Sequence, residues 1–306
     1  MISFIIPYYN SYVTLIKTLD SIYSCKIKKY FEVIIVDDGS TDGSVLKIKK
    51  LYPRTIIVRQ AHSGGAKARN TGIKRAKYEK LFFMDSDVSI DEGSFKKIIG
   101  ALTANHDIAF PQIIYEDGMI MYPAKLSEER YPGISACFAI NKSSLAKLDG
   151  LFDEYYNTYL EDYDFFARCK LAGLTAEYVK YAVAVHLLKS ERDFTSRFYL
   201  EFKNLVYGYI KFSKYPEKLY NPFTPFNIFK ASICSLFNFA WFNWQGYPRT
   251  SSIGKLRVII LRKNKISNNW FALQSTFFKA AATLISDRKK IMRKKQKFSR
   301  WCQGIC

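Results

Sequence analysis

Leu81-Phe82-Phe83-Met84-Asp85-Ser86-Asp87-Val88 is the stretch on which the fold turns: four apolar residues run straight into two carboxylates one residue apart. A short apolar run closed by a polar turn reads as a buried parallel strand meeting a loop at its carboxyl end. Open α/β sheets bind their ligands along that edge. Carboxylates at i and i+2 in one turn can share a hard divalent cation and the diphosphate it partners. A plain Asp-rich turn after a strand looks the same locally, so the surrounding stretches decide.

Upstream, residues 3–10 form a strand that leaves through Pro7 into a polar turn, followed by a helix carrying apolar Val13, Ile16, Leu19 and Ile22. Residues 31–36 form a second strand ending in Asp37-Asp38-Gly39-Ser40-Thr41-Asp42. Gly39 permits the tight turn there, and Ser40, Thr41 and Asp42 can cap the next helix. Residues 55–58 make a third strand, and His62-Ser63-Gly64-Gly65-Ala66-Lys67-Ala68-Arg69-Asn70-Thr71-Gly72 opens another helix. Strands alternating with helices argue for a doubly wound, mostly parallel α/β sheet. Three of the first four strands end in polar residues suited to a ligand.

Downstream, residues 108–115 and 135–140 read as further strands. Glu161 and Asp162 open a helix whose Phe165, Phe166 and Leu171 face inward, with Asp164 and Arg168 as an i, i+4 pair. Acidic residues in a first helical turn are also what the helix dipole favours unaided. Residues 183–186 are a short apolar strand ending in His186, with Ser190 four residues on.

The 306 residues are 48% apolar and 16% aromatic, enough for a large α/β domain with an appendage. Six cysteines, at 25, 137, 169, 234, 302 and 306, form neither a CxxC pair nor a zinc spacing, and read as reduced thiols in a cytosolic protein. No signal peptide is visible, because the N-terminus enters a strand without a basic leader. Of the net charge of +20, residues 249–306 carry +14, from 15 basic side chains against one acidic. Residues 1–187 are nearly neutral, with 24 against 22. A positive field of this kind attracts polyanions, either nucleic acid or an anionic membrane face.

The ordered motifs I-I-P-x-Y-N, V-D-D-G-S-T-D, G-G-x-x-x-A-R-N-x-G and M-D-S-D resemble those of the family 2 glycosyltransferases of the GT-A fold, across residues 2–190. The resemblance implies a Rossmann-like nucleotide-binding sheet, with residues 1–90 as the nucleotide-sugar half and 91–190 as the acceptor half. It implies that Tyr9 stacks on the base, beside Pro7 and Asn10, and that Asp38 accepts a hydrogen bond from a base imide, with Asp37 holding the turn. Gly64 and Gly65 would let backbone approach the nucleotide. One of Arg69 and Asn70 would contact it, or Arg69 would pair with an aspartate of the Asp85-Ser86-Asp87 loop. Asp85, with Ser86, would lie near the ribose. Asp87 would hold Mn²⁺ or Mg²⁺, its shell completed by His186. The Leu148–Glu154 segment resembles the family's G-x-F-D-E, and Asp162 matches the general base, supported by Glu161. The implied reaction is a single inverting displacement. Residues 198–205 resemble a Tyr-x-x-x-(Arg/Lys)-Asn helix of members acting on lipid-linked acceptors, with Lys203 in place of the commoner Arg.

Residues 191–306 read as a helical, basic appendage. A stripe of Phe194, Phe198, Phe202, Leu205, Val206, Tyr209 and Phe212 has helical spacing. Residues 226–244 form an amphipathic helix whose uncharged run is short for a span, so it is expected to lie in the interface, with a single span as the alternative. Trp270, Leu273, Phe277, Ala281 and Leu284 mark another, which runs into 288–297, where seven of ten residues are basic. The expected partners are a nucleotide-diphosphate sugar donor, a lipid-linked or surface-glycan acceptor, and an anionic membrane on its cytoplasmic face, with no nucleic acid. The C-terminal Cys302-Gln-Gly-Ile-Cys306 is not a prenylation box. The Gln-x-x-Arg-Trp pattern of processive synthases is missing, in keeping with a single transfer. Two rival classes remain: a sugar nucleotidyltransferase, and a non-catalytic polyanion-binding protein using its basic tail.

Overall fold

The structure, a computed structural model, describes residues 1–26, 31–103, 106–122, 134–187, 194–213 and 267–305. The chain divides into two compact units, Met1–Lys189 and Ser190–Cys306.

The first unit is built on one sheet of nine strands in the order β3-β2-β1-β4-β8-β6-β9-β5, with β7 on the side of β6. These strands are β1 (Ile2–Tyr8), β2 (Phe31–Asp37), β3 (Ile56–Arg59), β4 (Lys80–Met84), β5 (Val88–Ile90), β6 (Ile108–Tyr115), β7 (Ile120–Tyr122), β8 (Cys137–Asn141) and β9 (Ala176–His186). The helices are α1 (Tyr12–Ser24), α2 (Ser44–Leu51), α3 (Gly65–Arg75), α4 (Glu92–Thr103) and α5 (Glu161–Leu171). Strands β1, β2 and β4 are buried along almost their whole length because helices cover both faces, which is why they read as continuous apolar runs rather than alternating ones. Pairing among β3, β2, β1 and β4 is parallel. The other half of the sheet is mixed: β8 runs antiparallel to both β4 and β6, while β6 and β9 are parallel.

Local sequence explains most of these elements. Pairing of β1 with β4 covers Ile2–Ile5 and stops short of Pro7, which has no N–H for a further ladder bond. Helix α3 lies close on β1 because Gly72 faces Ile5, and a Cβ at 72 would run into the Ile5 side chain. Helix α1 departs from the expected face. Leu15, Leu19 and Ile22 are buried, whereas Val13 is 71% exposed and Ile16 only half-buried. The buried stripe follows 15, 18, 19 and 22, the i, i+3, i+4, i+7 rule, with Thr18 part of it and Thr14 buried beside it. At α2, Gly43 takes the N-cap position at φ 68°, and Asp42 Oδ1 accepts the Ser44 N–H at 3.1 Å. None of Ser40, Thr41 and Asp42, expected to cap, takes the N-cap position, and Asp42 binds the first turn from one residue further out.

The second unit contains α6 (Phe194–Phe212), α7 (Ser267–Ser286) and α8 (Arg288–Ile305). Backbone bonds run through the α7–α8 junction, from Asp287 N to Thr283 O and from Ile291 N to Asp287 O, both 2.9 Å. Phe202 packs on Phe277 and Phe212 on Phe298, each with centroids 4.8 Å apart. Ala280, Ile291, Phe298 and Cys302 are buried. On the outward side Phe278, Ile285 and Met292 recur every seven residues and are exposed, among exposed Arg288, Lys289, Arg293 and Arg300. Among the described residues, no helix is long and apolar enough to cross a membrane. The expected helix at 226–244 and Ser190 lie outside the described residues. Cys25, Cys137, Cys169 and Cys302 are free thiols, all buried.

Candidate active site

The carboxyl ends of β1, β2 and β4 converge with the first turns of α3 and α5. Arg69, on the first turns of α3, ties these elements together. Its Nη2 donates to Asp85 Oδ1 at 2.7 Å and its Nη1 to Glu161 Oε1 at 3.1 Å. The guanidinium is 4% exposed, its carbon 5.6 Å from the centre of the Phe152 ring. Of the alternatives for Arg69, pairing with the Asp85 loop is the one found. Asp85 is further held by its own N–H, which donates to Ala136 O at 2.8 Å. Ser86 Oγ lies 2.8 Å from Ser11 Oγ, so the loops after β1 and β4 are stitched together.

Glu161 and Asp162 begin α5. Glu161 is buried, with Oε1 on Arg69 and Oε2 without a hydrogen-bond partner. Asp162 accepts the Tyr163 N–H at 2.9 Å and the Ser135 N–H at 3.4 Å. Burial raises both carboxyl groups above the ordinary carboxylate range. At Asp162 the charge of Glu161 adds to the effect of burial and Arg69 offsets part of it. A carboxylate with raised proton affinity beside a loop edge has the properties of a general base. Lower in α5, Arg168 is 1% exposed. Its Nε donates to Asp164 at 2.7 Å and its Nη1 to Asp149 at 3.1 Å, while Nη1 and Nη2 reach the carbonyls of Gly150 and Leu151 at 2.7 Å. This web fixes the helix that carries Glu161 and Asp162.

Asp87 and His186 meet because β5 pairs with β9 so that Val88 lies opposite His186. His186 Nε2 is 3.6 Å from Asp87 Oδ1, and Leu187 N donates to Asp87 O at 2.7 Å. His186 is 9% exposed, with Tyr115 edge-on to its ring at 5.9 Å. One imidazole nitrogen and one carboxylate oxygen facing each other make a donor pair that suits Mn²⁺ or Mg²⁺ when phosphate oxygens and water supply the remaining ligands. The residues fit the metal in that sense. Among the described residues no cluster of three or more His, Cys, Asp or Glu could hold an ion unaided.

The nucleotide-side residues divide. Tyr9 is 45% exposed and stacks on His62, centroids 4.2 Å apart. Asp38 is buried, and each of its oxygens is engaged twice: Oδ1 by Gln60 Nε2 at 2.7 Å and Ser63 N at 2.9 Å, Oδ2 by Gly64 N at 2.8 Å and His62 Nδ1 at 3.0 Å. Asp37 holds the turn as expected, accepting the Ser40 N–H at 2.8 Å. Gly64, at φ 90°, lies against Asn157, whose carbonyl accepts the Ala66 N–H at 3.2 Å, so the first turn of α3 packs on the loop before α5.

Asn10 and Asn70, both expected at the nucleotide, are each hydrogen-bonded to neighbouring protein groups. Asn10, in the left-handed region at φ 46°, accepts the Thr41 N–H at its Oδ1, 2.8 Å away, and donates its own N–H to Ser40 Oγ at 3.0 Å. It latches the β1 and β2 loops to each other. Asn70 is buried and its amide is fully used by the segment before α5. Its Nδ2 donates to Phe152 O and Glu154 Oε1, and Oδ1 accepts the Phe152 N–H, all at 2.9 Å. Sequence reasoning overlooked Gln60, which orients Asp38 while accepting Thr71 Oγ1 at 2.6 Å. It also overlooked Asn157, for which only asparagine's tolerance of positive φ offered a signal.

The sequence model of Glycosyl transferase family 2 matches residues 3–159. The chain belongs to this family. An uncharacterized glycosyltransferase of Haemophilus influenzae is 29% identical over 180 residues, covering 54% of this chain and 60% of that protein. A poly-beta-1,6-N-acetyl-D-glucosamine synthase of Staphylococcus epidermidis is 29% identical over 176 residues, covering 53% of this chain and 40% of the synthase. The chain thus spans about half the length of these curated relatives. A poly(ribitol-phosphate) beta-glucosyltransferase of Bacillus spizizenii is 42% identical over 92 residues, 28% of this chain and 14% of that protein. Among solved structures, S. aureus TarS 1–349 in complex with UDP superimposes with a TM-score of 0.53 at 23% identity, covering 67% of this chain and 65% of that one. The family 2 chain therefore has the Rossmann-like mixed α/β fold of the GT-A glycosyltransferases, with a helical C-terminal region.

Proposed function

We propose that this family 2 member is an inverting glycosyltransferase that moves one sugar from a nucleotide diphosphate to a cell-surface or lipid-linked glycan. The observation that carries the reading is Arg69, which holds donor-loop Asp85 and acceptor-helix Glu161 on one guanidinium at the carboxyl edge of the sheet. The names of the relatives support a glycan acceptor, and the UDP and UDP-GlcNAc complexes of TarS support a uridine donor.

In this mechanism Asp162 takes the proton of the acceptor hydroxyl. The acceptor oxygen bonds to the anomeric carbon as the bond from that carbon to the β-phosphate oxygen breaks, and the nucleoside diphosphate leaves with the electron pair. Glu161 keeps Asp162 proton-avid, and Arg69 offsets part of the effect of burial on Glu161 at the helix start. Asp87 and His186 would hold Mn²⁺ or Mg²⁺, which when bound supplies Lewis-acid neutralisation of the departing diphosphate. Tyr9 and Asp38 would read the base and Asp85 the ribose.

The outward face of α7 and α8, with Phe278, Ile285 and Met292 among arginines and a lysine, supports a peripheral seat on an anionic cytoplasmic membrane face. Thermal stabilisation by UDP, GDP and dTDP, each with Mn²⁺ or chelator, tests the donor assignment. Stabilisation by one nucleotide that needs both metal and Asp87 is expected. A folded sample indifferent to all three would sink it.

A further inference from the structure

The two groups assigned to the base in the proposed reading, the face of Tyr9 and the carboxylate of Asp38, are both occupied by one side chain, His62. Its ring lies on Tyr9 with centroids 4.2 Å apart and planes 31° from parallel. Its Nδ1 is 3.0 Å from Asp38 Oδ2 and 3.1 Å from Asp38 O. Both neighbours are acceptors, and in the tautomer with its proton on Nδ1 the imidazole donates to them. The imidazole therefore presents to this slot what a pyrimidine or guanine base would present: a flat π face for Tyr9 and a ring N–H for Asp38.

We propose that His62 is an internal stand-in for the nucleobase, and that binding the nucleotide requires it to swing out. The inference rests on the donor-site reading above. The hydrogen bonds of Asp38 decide which donor gives way. Ser63 and Gly64 contribute backbone N–H groups at the start of α3 and cannot leave without unwinding the loop. Gln60 is pinned from its other end by Thr71 at 2.6 Å. The His62 side chain is 55% exposed, and its Nδ1 contacts are both to Asp38. It is the one donor that can rotate into water at little cost. Gly39, at φ 83°, makes the approach possible, since a Cβ there would lie 2.9 Å from His62 N. The closed state lowers the apparent affinity for nucleotide by the fraction of molecules in which the slot is open.

The test is calorimetric titration of the full chain with UDP, dTDP and GDP in turn, in Mn²⁺, for wild type, His62→Ala and Tyr9→Ala. The expected result is that His62→Ala binds the preferred nucleotide about tenfold more tightly, the worth of one displaced hydrogen bond, while Tyr9→Ala weakens binding. Equal or weaker binding by His62→Ala, with Tyr9→Ala weakened, overturns the stand-in and leaves the donor site intact. Indifference of binding to Tyr9→Ala, or no binding of any of the three by wild type, overturns the donor-site reading and the stand-in with it. A second readout needs no variant. The nuclear Overhauser contact between the Tyr9 and His62 rings should vanish at saturating nucleotide, and its persistence would overturn the proposal.

Discussion

Arg69 and Asp85 lie 16 residues apart in the chain and meet at 2.7 Å at the carboxyl edge of the sheet, Nη2 to Oδ1. The other arm of the same guanidinium binds Glu161, 92 residues away. A buried cation between two carboxylates is costly to break, because removing it strands charges in a poorly hydrated place.

Arg69→Met should therefore destabilise the first unit by about 3 kcal/mol, a fall in melting midpoint of about 6–12 °C. Adding Glu161→Gln removes one of the stranded charges, so the double variant should melt higher than Arg69→Met alone. A double variant melting lower by the sum of the two single effects would argue that the pair is not coupled.

Asp162 must be ionised to accept a proton, so turnover should rise with pH through its pKa. Burial and Glu161 hold that pKa above the ordinary carboxylate range, which places the acid limb of kcat/KM at higher pH than an ordinary aspartate would give. Asp162→Asn should lower kcat by about 10²–10⁴-fold. Glu161→Gln removes the adjacent charge and should move the acid limb to lower pH. An unmoved limb would take Glu161 out of the account. The same shift has a stability consequence of definite sign. A carboxyl group whose pKa is raised on folding binds its proton more tightly in the native state, so its contribution to stability declines as pH rises from the unfolded value through the folded one.

Asp87→Ala and His186→Ala each remove one donor of the facing pair. Either should abolish most of the Mn²⁺-dependent part of nucleotide stabilisation and leave the metal-free melting temperature within a few degrees of wild type. Undiminished metal dependence in His186→Ala, read by thermal shift with and without chelator, would restrict the ion to Asp87.

Gly64 and Gly43 both have positive φ, and they should respond differently to alanine. At Gly43 nothing lies within 4 Å of an added Cβ, so Gly43→Ala should cost only the backbone term, about 1–2 kcal/mol. At Gly64 the added carbon would overlap Asn157, so Gly64→Ala should cost more than that and disturb the start of α5 as well. Urea unfolding of the two variants separates the terms.

Local chemistry made part of this legible. Continuous apolar runs at 33–36 and 81–84 read correctly as buried strands, and the glycines and aspartates after them as turns, because both signals are carried by neighbouring residues. The Asp164–Arg168 pair was equally readable, since i, i+4 spacing on a helix guarantees proximity. In α1 apolar Val13 is exposed while Thr14 and Thr18 are buried, a placement that hydropathy alone does not show. The mixed half of the sheet was harder to read, since strand direction depends on where a chain re-enters and not on its composition.

By itself, the amino-acid sequence determined the first four strands, the ordered loops at their ends and the membership of family 2, since all three reside in short motifs whose spacing is set along the chain. Only the tertiary structure decided what each polar group in those loops is bonded to. Asn70 went to Phe152 and Glu154, Asn10 to the loop at Ser40 and Thr41, Arg69 to both Asp85 and Glu161, and Asp38 to four donors including His62. The physical reason is that a buried polar group must be paired, and its partner is whichever group the packing of distant segments brings within about 3 Å.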